Sequence, residues 1–329
     1  MRFFAFLAAS LPALSVSIPT SLIPRWNHGD SDTMVLNFQL AVSQLESAFY
    51  EEGLGKFDQK ICRQAGFPDF ARGRFMEIKE HVCAHTDFFC EAIRESGADT
   101  VDPCRYRLWV ADTSLLAQLK LCVSSPLEDP KAFARTILDI STIAAAAYTG
   151  TIRLLENKEY GMANGMILSV ESRHAGWVNS ALLERNPWNT AFDTSLTPRQ
   201  AWTALSYFVE VCPRENEELV PPQSLNPFPR LEIIDYLVPG QRGQVRFPGV
   251  EDCESKGLFI VFKTGLQEFE TRLQKDGTFI VPREVANTGA NFIFVTSDDK
   301  PACDENIAAG PVVYQFDFSS HHGDKKDKK

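Results

Sequence analysis

At 329 residues the chain is long enough for roughly two domains, and 44% hydrophobic against 23% charged residues is the balance of a folded globule. A formal net charge of −10 supplies no basic field for phosphates, which excludes nucleic acid and anionic membrane as main partners.

The opening run MRFFAFLAASLPALSVS has one positive charge at Arg2, an apolar stretch from Phe3 to about Val16, and the small-x-small triplet Ser15-Val16-Ser17. That pattern reads as a secretory signal over residues 1–17, cleaved near Ser17. No later segment has the ~20 apolar residues that a bilayer span needs, so the mature chain is expected to be secreted and free of the membrane. All eight cysteines lie beyond the signal, an even number suited to an oxidising compartment. Their pairings number on the order of a hundred, and spacing alone does not choose among them. Cys83 and Cys90 sit about 10 Å apart along one predicted helix, too far to bond each other, whereas Cys253 and Cys303 stand alone in the C-terminal third and are expected to pair. No CxxC and no Cys/His zinc spacing occurs.

Apolar residues recur at helical spacing from Met34 to Cys212. A first helix is predicted over about Met34 to Leu54 (Val35, Phe38, Val42, Leu45, Phe49) and a second over about Gly73 to Ile93 (Phe75, Ile78, Val82, His85, Phe89). A third spans about Pro130 to Gly150 and a fourth about Tyr160 to Leu183. A shorter fifth helix starts at the cap pair Thr197-Pro198 and ends near Cys212. The loop from Glu95 to Asp112 is a candidate for tying down through Cys104. Striped helices of this length pack as a bundle, here residues 32–213.

Residues 214–230 are rich in Pro and polar side chains and read as a linker. Residues 231–318 hold six or seven short strand-like runs, with Asp276-Gly277 as a hairpin turn, and suggest a small β-sandwich. Residues 319–329, polar and charged, form a tail with nothing to bury. The fold class is therefore α+β in two domains.

Polar side chains interrupt the helical stripes. Glu46 falls between Val42 and Phe49 in helix one, His85 lies on the stripe of helix two, and Glu171 and His174 sit three apart in helix four. Buried carboxylates are expensive unless compensated. Two imidazoles converging on two carboxylates in a bundle either hold a metal ion or hydrogen-bond one another, and the spacing admits both.

The runs Leu45 to Tyr50, Glu77 to His81 with His85, Ala147 to Gly150, Val170 to Trp177, Asn186-Pro187-Trp188, Ala191 to Thr194 and Cys212-Pro213 resemble, in that order, the fungal ferritin-like domain family. That family includes secreted stress-response and late-sexual-development proteins and is similar to plant desiccation-related proteins. The resemblance implies a ferritin-like four-helix bundle whose complete di-iron site takes Glu from helices one and three and a Glu-x-x-His pair from helices two and four. Carried over, Glu46, His85, Glu171 and His174 are the metal ligands. Two positions depart: the helix-two carboxylate is Val82, and the helix-three carboxylate is Ser141. Glu80 and Asp139 lie two residues from those positions, about 200° around their helices, and His81 borders the stripe as a partner for a ligand.

Two carboxylates in place of four fit one divalent ion (iron, manganese, copper or zinc) or no ion, and not a bridged pair. The expected function is thus a secreted protein with a degenerate di-iron site, acting in cell wall or matrix with an extracellular partner. The alternative is a mononuclear metal-dependent oxidoreductase in which Tyr50, Tyr148 or Ser141 lines the pocket. No GxSxG, P-loop or GxGxxG motif supports hydrolase or nucleotide chemistry.

Overall fold

The computed structural model describes residues 30–108, 126–248 and 257–317. The expected signal segment, Cys122, Cys253 and the charged tail lie outside the described residues, and with them the expected Cys253–Cys303 pair.

Four long helices dominate the first half: α1 (Asp30–Lys56), α3 (Ala71–Glu95), α4 (Pro130–Thr151) and α5 (Lys158–Trp177), with the short α2 (Gln59–Gln64) between α1 and α3. Local chemistry sets several of the boundaries. Asp129 caps α4 by accepting the Ala132 amide at 2.7 Å and is followed by Pro130, while Asn157 caps α5 through the Glu159 amide. Helix α1 packs along α3, α4 along α5, and α1 also meets α4. Helices α3 and α5 touch through side chains, including an edge-on contact between the Phe75 and Trp177 rings. The stripe residues expected in α1 and α3 are buried, except His85, which is half-buried. Helix α4 is buried almost all round rather than along one stripe, with Ala144, Ala145, Ala146 and Ala147 allowing neighbours close on every side.

Two helix ends differ from the sequence expectation. The α-helical part of the fourth helix stops at Trp177, and a π-helical turn carries the chain over Val178–Leu182. The fifth helix, α6 (Pro198–Leu205), starts at Thr197 with a reciprocal capping box to Gln200. It ends seven residues before Cys212, because Val209–Val211 straightens into β2 and pairs with β1 (Arg105–Tyr106). Beside that ribbon the Cys104–Cys212 disulfide ties down the long loop. Residues 213–230 include the helical turn α7 (Asn216–Leu219), and Asn216 exchanges hydrogen bonds with the backbone of Asp102.

The remaining strands form two antiparallel sheets. One has the order β6 (Gln267–Arg272), β5 (Phe259–Thr264), β8 (Gly289–Thr296), β9 (Ile307–Phe316), and the other β3 (Glu232–Ile233), β4 (Arg242–Arg246), β7 (Thr278–Ile280). Asp276-Gly277 does form a tight turn, but it is a corner between sheets: β7 pairs with β4, and β6 with β5. Val245 and Phe279 meet Ile260, Phe262, Ile293 and Val295 in an apolar interior between the sheets. On β8 the intervening Phe292 and Phe294, with Val261 of β5, turn the other way and join the core of the helices. The four-stranded sheet is therefore a shared wall, and every residue of β8 is buried. The molecule is α+β, helices first and strands after.

Candidate metal centre

The four residues expected to be ligands come together in the helical interior. Glu46 projects from α1, His85 from α3, and Glu171 and His174 from one turn of α5; both carboxylates are at most 1% exposed. Glu171 lies at the middle, with Oε1 3.1 Å from His85 Nδ1 and Oε2 3.4 Å from His174 Nδ1. His174 Nε2 is 3.1 Å from Nδ1 of His81, whose ring stacks on that of His174. His81 thus supports a proposed ligand and opens toward solvent.

The two departures from a complete di-iron ligand set are visible in place. Val82 is fully buried and brings only apolar surface. Ser141, also fully buried, donates its hydroxyl to Glu46 Oε1 at 2.6 Å, so a neutral donor stands where the resemblance calls for a carboxylate. Glu80 is exposed, and Asp139 points elsewhere, into the company of Gln315 and Arg185. Neither replaces the missing charge.

The electrostatics follow from this inventory. Burial, reinforced by the neighbouring Glu171 charge, pushes the Glu46 carboxyl well above the usual carboxylate range, toward its protonated form. Burial also disfavours the Glu171 charge, but the His174 hydrogen bond and the closeness of both imidazoles outweigh it and hold Glu171 below the ordinary value. The two carboxyls are thus driven apart, Glu46 toward its neutral form and Glu171 toward its charged form. The hydroxyls of Tyr50 and Tyr148, both fully buried, are raised by burial and by these two glutamates, and remain protonated.

A di-metal cluster does not fit these residues. Among the described residues no group of three or more His, Cys, Asp or Glu side chains is gathered tightly enough to hold a metal ion. The donors pair with one another instead of converging on a point. Four buried polar atoms nonetheless lack a hydrogen-bond partner in this neighbourhood: Glu46 Oε2, Tyr50 OH, His85 Nδ1 and Glu171 Oε1. The short His85–Glu171 approach is therefore badly aligned for a hydrogen bond.

Sequence reasoning selected the residues that meet here, and His81 beside them. It missed the Ser141–Glu46 bond, because a serine on an apolar stripe gives no hint of which acceptor it will reach.

Residues 31–184, which hold all four long helices and the whole cluster, match the family model of the ferritin-like domain. No curated protein matches the chain. Among the described residues no helix is long and apolar enough to cross a membrane.

Proposed function

We propose that the protein is a secreted ferritin-like protein in which a four-helix bundle carries the remnant of a two-metal centre, and that it serves in the cell wall or extracellular matrix during stress or development. The observation that carries this reading is the Ser141 hydroxyl on Glu46: a neutral donor satisfies the carboxyl that a second ion would need. With Val82 at the other departed position, the interior offers two carboxyl groups, one of them biased toward its neutral form. That charge suits one divalent ion at most. The apolar N-terminal run and the Cys104–Cys212 disulfide support an oxidising, extracellular setting. The small β-sandwich closes the helical core from one side.

A second reading, a mononuclear metal-dependent oxidoreductase, is favoured by one observation, the unpartnered Glu46 Oε2, His85 Nδ1 and Glu171 Oε1. Iron, manganese, copper or zinc would suit these nitrogen and oxygen donors, and binding would release the Glu46 proton. Elemental analysis tests both readings, on protein refilled with each metal near neutral pH beside a Glu171→Ala/His174→Ala double variant. The proposal expects no more than one ion per chain. One ion that is lost in the variant favours the second reading, and two ions per chain overturn the charge argument.

A further inference from the structure

On another face of α5 from the cluster, the segment after the π-helical turn is pinned from three directions. Asn189 Oδ1 accepts the Ala290 amide of β8 at 2.8 Å, and Thr194 Oγ1 accepts the Gly265 amide at 2.8 Å. The Leu196 amide donates to Ala146 O of α4 at 3.1 Å. Gly265 and Gly289 have φ of +56° and +67°, and a Cβ at either would collide with Thr190 or Asn189. A loop held this firmly nevertheless leaves Trp188 67% and Phe192 59% exposed. Such exposure of large aromatics on a rigid loop marks contact with something else.

Beside Trp188 lies an open cavity of about 210 Å³ between α4, α5, this loop and the β8–β9 face. Ser172, Asn179, Asn189 and Asp193 line it, and no Lys or Arg is among the described residues lining it. Asp193 takes a hydrogen bond from Ser172 at 2.9 Å through Oδ2. Asn179, on the π-helical turn and 8% exposed, spends Nδ2 on Asn186 O at 2.7 Å and is left with an unpartnered Oδ1.

These features select a ligand class. A carboxylate without a cation repels anions, and the acceptor oxygens of Asp193 call for a donor-rich guest. The volume is below the ~300 Å³ of pockets that take drug-sized ligands, so it admits about one ring. An exposed indole offers a flat apolar platform with a polar edge. A ring with apolar C–H faces and a rim of hydroxyls meets all three demands. We propose that this cavity binds a neutral sugar ring of an extracellular polysaccharide, with Trp188 stacked on the C–H face and Asp193 accepting its hydroxyls. The proposal uses the extracellular setting proposed above but none of the Glu/His cluster.

Calorimetric titration of the purified full chain with laminarihexaose, cellohexaose and chitohexaose tests it. At least one of the three is expected to bind with a dissociation constant below ~1 mM. Trp188→Ala should weaken that binding tenfold or more, Trp188→Phe should retain part of it, and Asp193→Ala should weaken it. His174→Ala should bind as the parent does, whatever its metal content, which separates this result from the metal assay. Circular dichroism of Trp188→Ala should match the parent, since the side chain is exposed. No binding of any of the three sugars, or equal binding by a folded Trp188→Ala, overturns the proposal.

Discussion

The interior between the helices and the interior between the sheets both exclude water, yet only the first holds acids and imidazoles. Among the described residues every buried Asp, Glu and His lies on a helix. Between the sheets, Phe262, Phe279, Ile293 and Val295 need only fit by shape and volume. In the helical interior each polar atom must be matched one by one, and around the two glutamates four are left over. A well-packed apolar replacement of a buried ionic group is often neutral or stabilising, so stability alone does not account for the Glu46–Glu171–His arrangement.

Variants in the two interiors should behave differently. The largest loss is expected from Phe262→Ala, which removes a fully buried ring between the sheets and should cost about 3–5 kcal/mol in denaturant unfolding, with little dependence on pH. Glu171→Gln should cost about 1–3 kcal/mol near neutral pH, since it strips His85 and His174 of their shared anion. This penalty has a definite pH sign. The Glu171 carboxyl is held low in the folded chain, so its contribution is present above the ordinary carboxylate value and fades as acid protonates it. Glu46→Gln should change stability by less than about 1 kcal/mol, because a neutral amide can still accept from Ser141 and the carboxyl it replaces is already biased toward its neutral form. A Glu46→Gln loss as large as that of Glu171→Gln would show that both glutamates are charged.

The smallest effect is expected at Asp139, which flanks neither interior fully. Burial raises its carboxyl to about 7 against the opposing influence of Arg185 and Gln315. The folded chain then keeps a proton that the unfolded chain has released, so stability should fall as pH climbs from ~4 to that value and level off above it. Asp139→Asn should flatten this slope and melt above the parent at pH 8. Asp139 is not fully buried, so the gain should stay under about 1 kcal/mol.

Much of the helical half was legible in the residues. The stripes of α1 and α3, the Thr197-Pro198 start of α6 and the inward turn of Glu46, His85, Glu171 and His174 follow from spacing and capping, which are local. What stayed hidden depends on partners far along the chain. The fifth helix ends early because Val209–Val211 finds Arg105–Tyr106, and no short window announces such a pairing. Asp276-Gly277 has the chemistry of a turn, but turn chemistry does not say which strand lies next door. The exposure of Trp188 is equally silent, because tryptophan in a sequence reads first as core.

The double burial of β8 bears on how the molecule could be divided. Phe292 and Phe294 roof one compartment while Ile293 and Val295 floor the other, so a single ribbon is common property of both. Gene truncation after Pro213 would unroof Leu138, Ala146 and their neighbours on α4 at the same stroke. A lost phenotype in such a deletion would report collapse of the helices as readily as loss of the strands. Point changes on outward side chains such as Trp188 are the surgical way to ask what each half contributes.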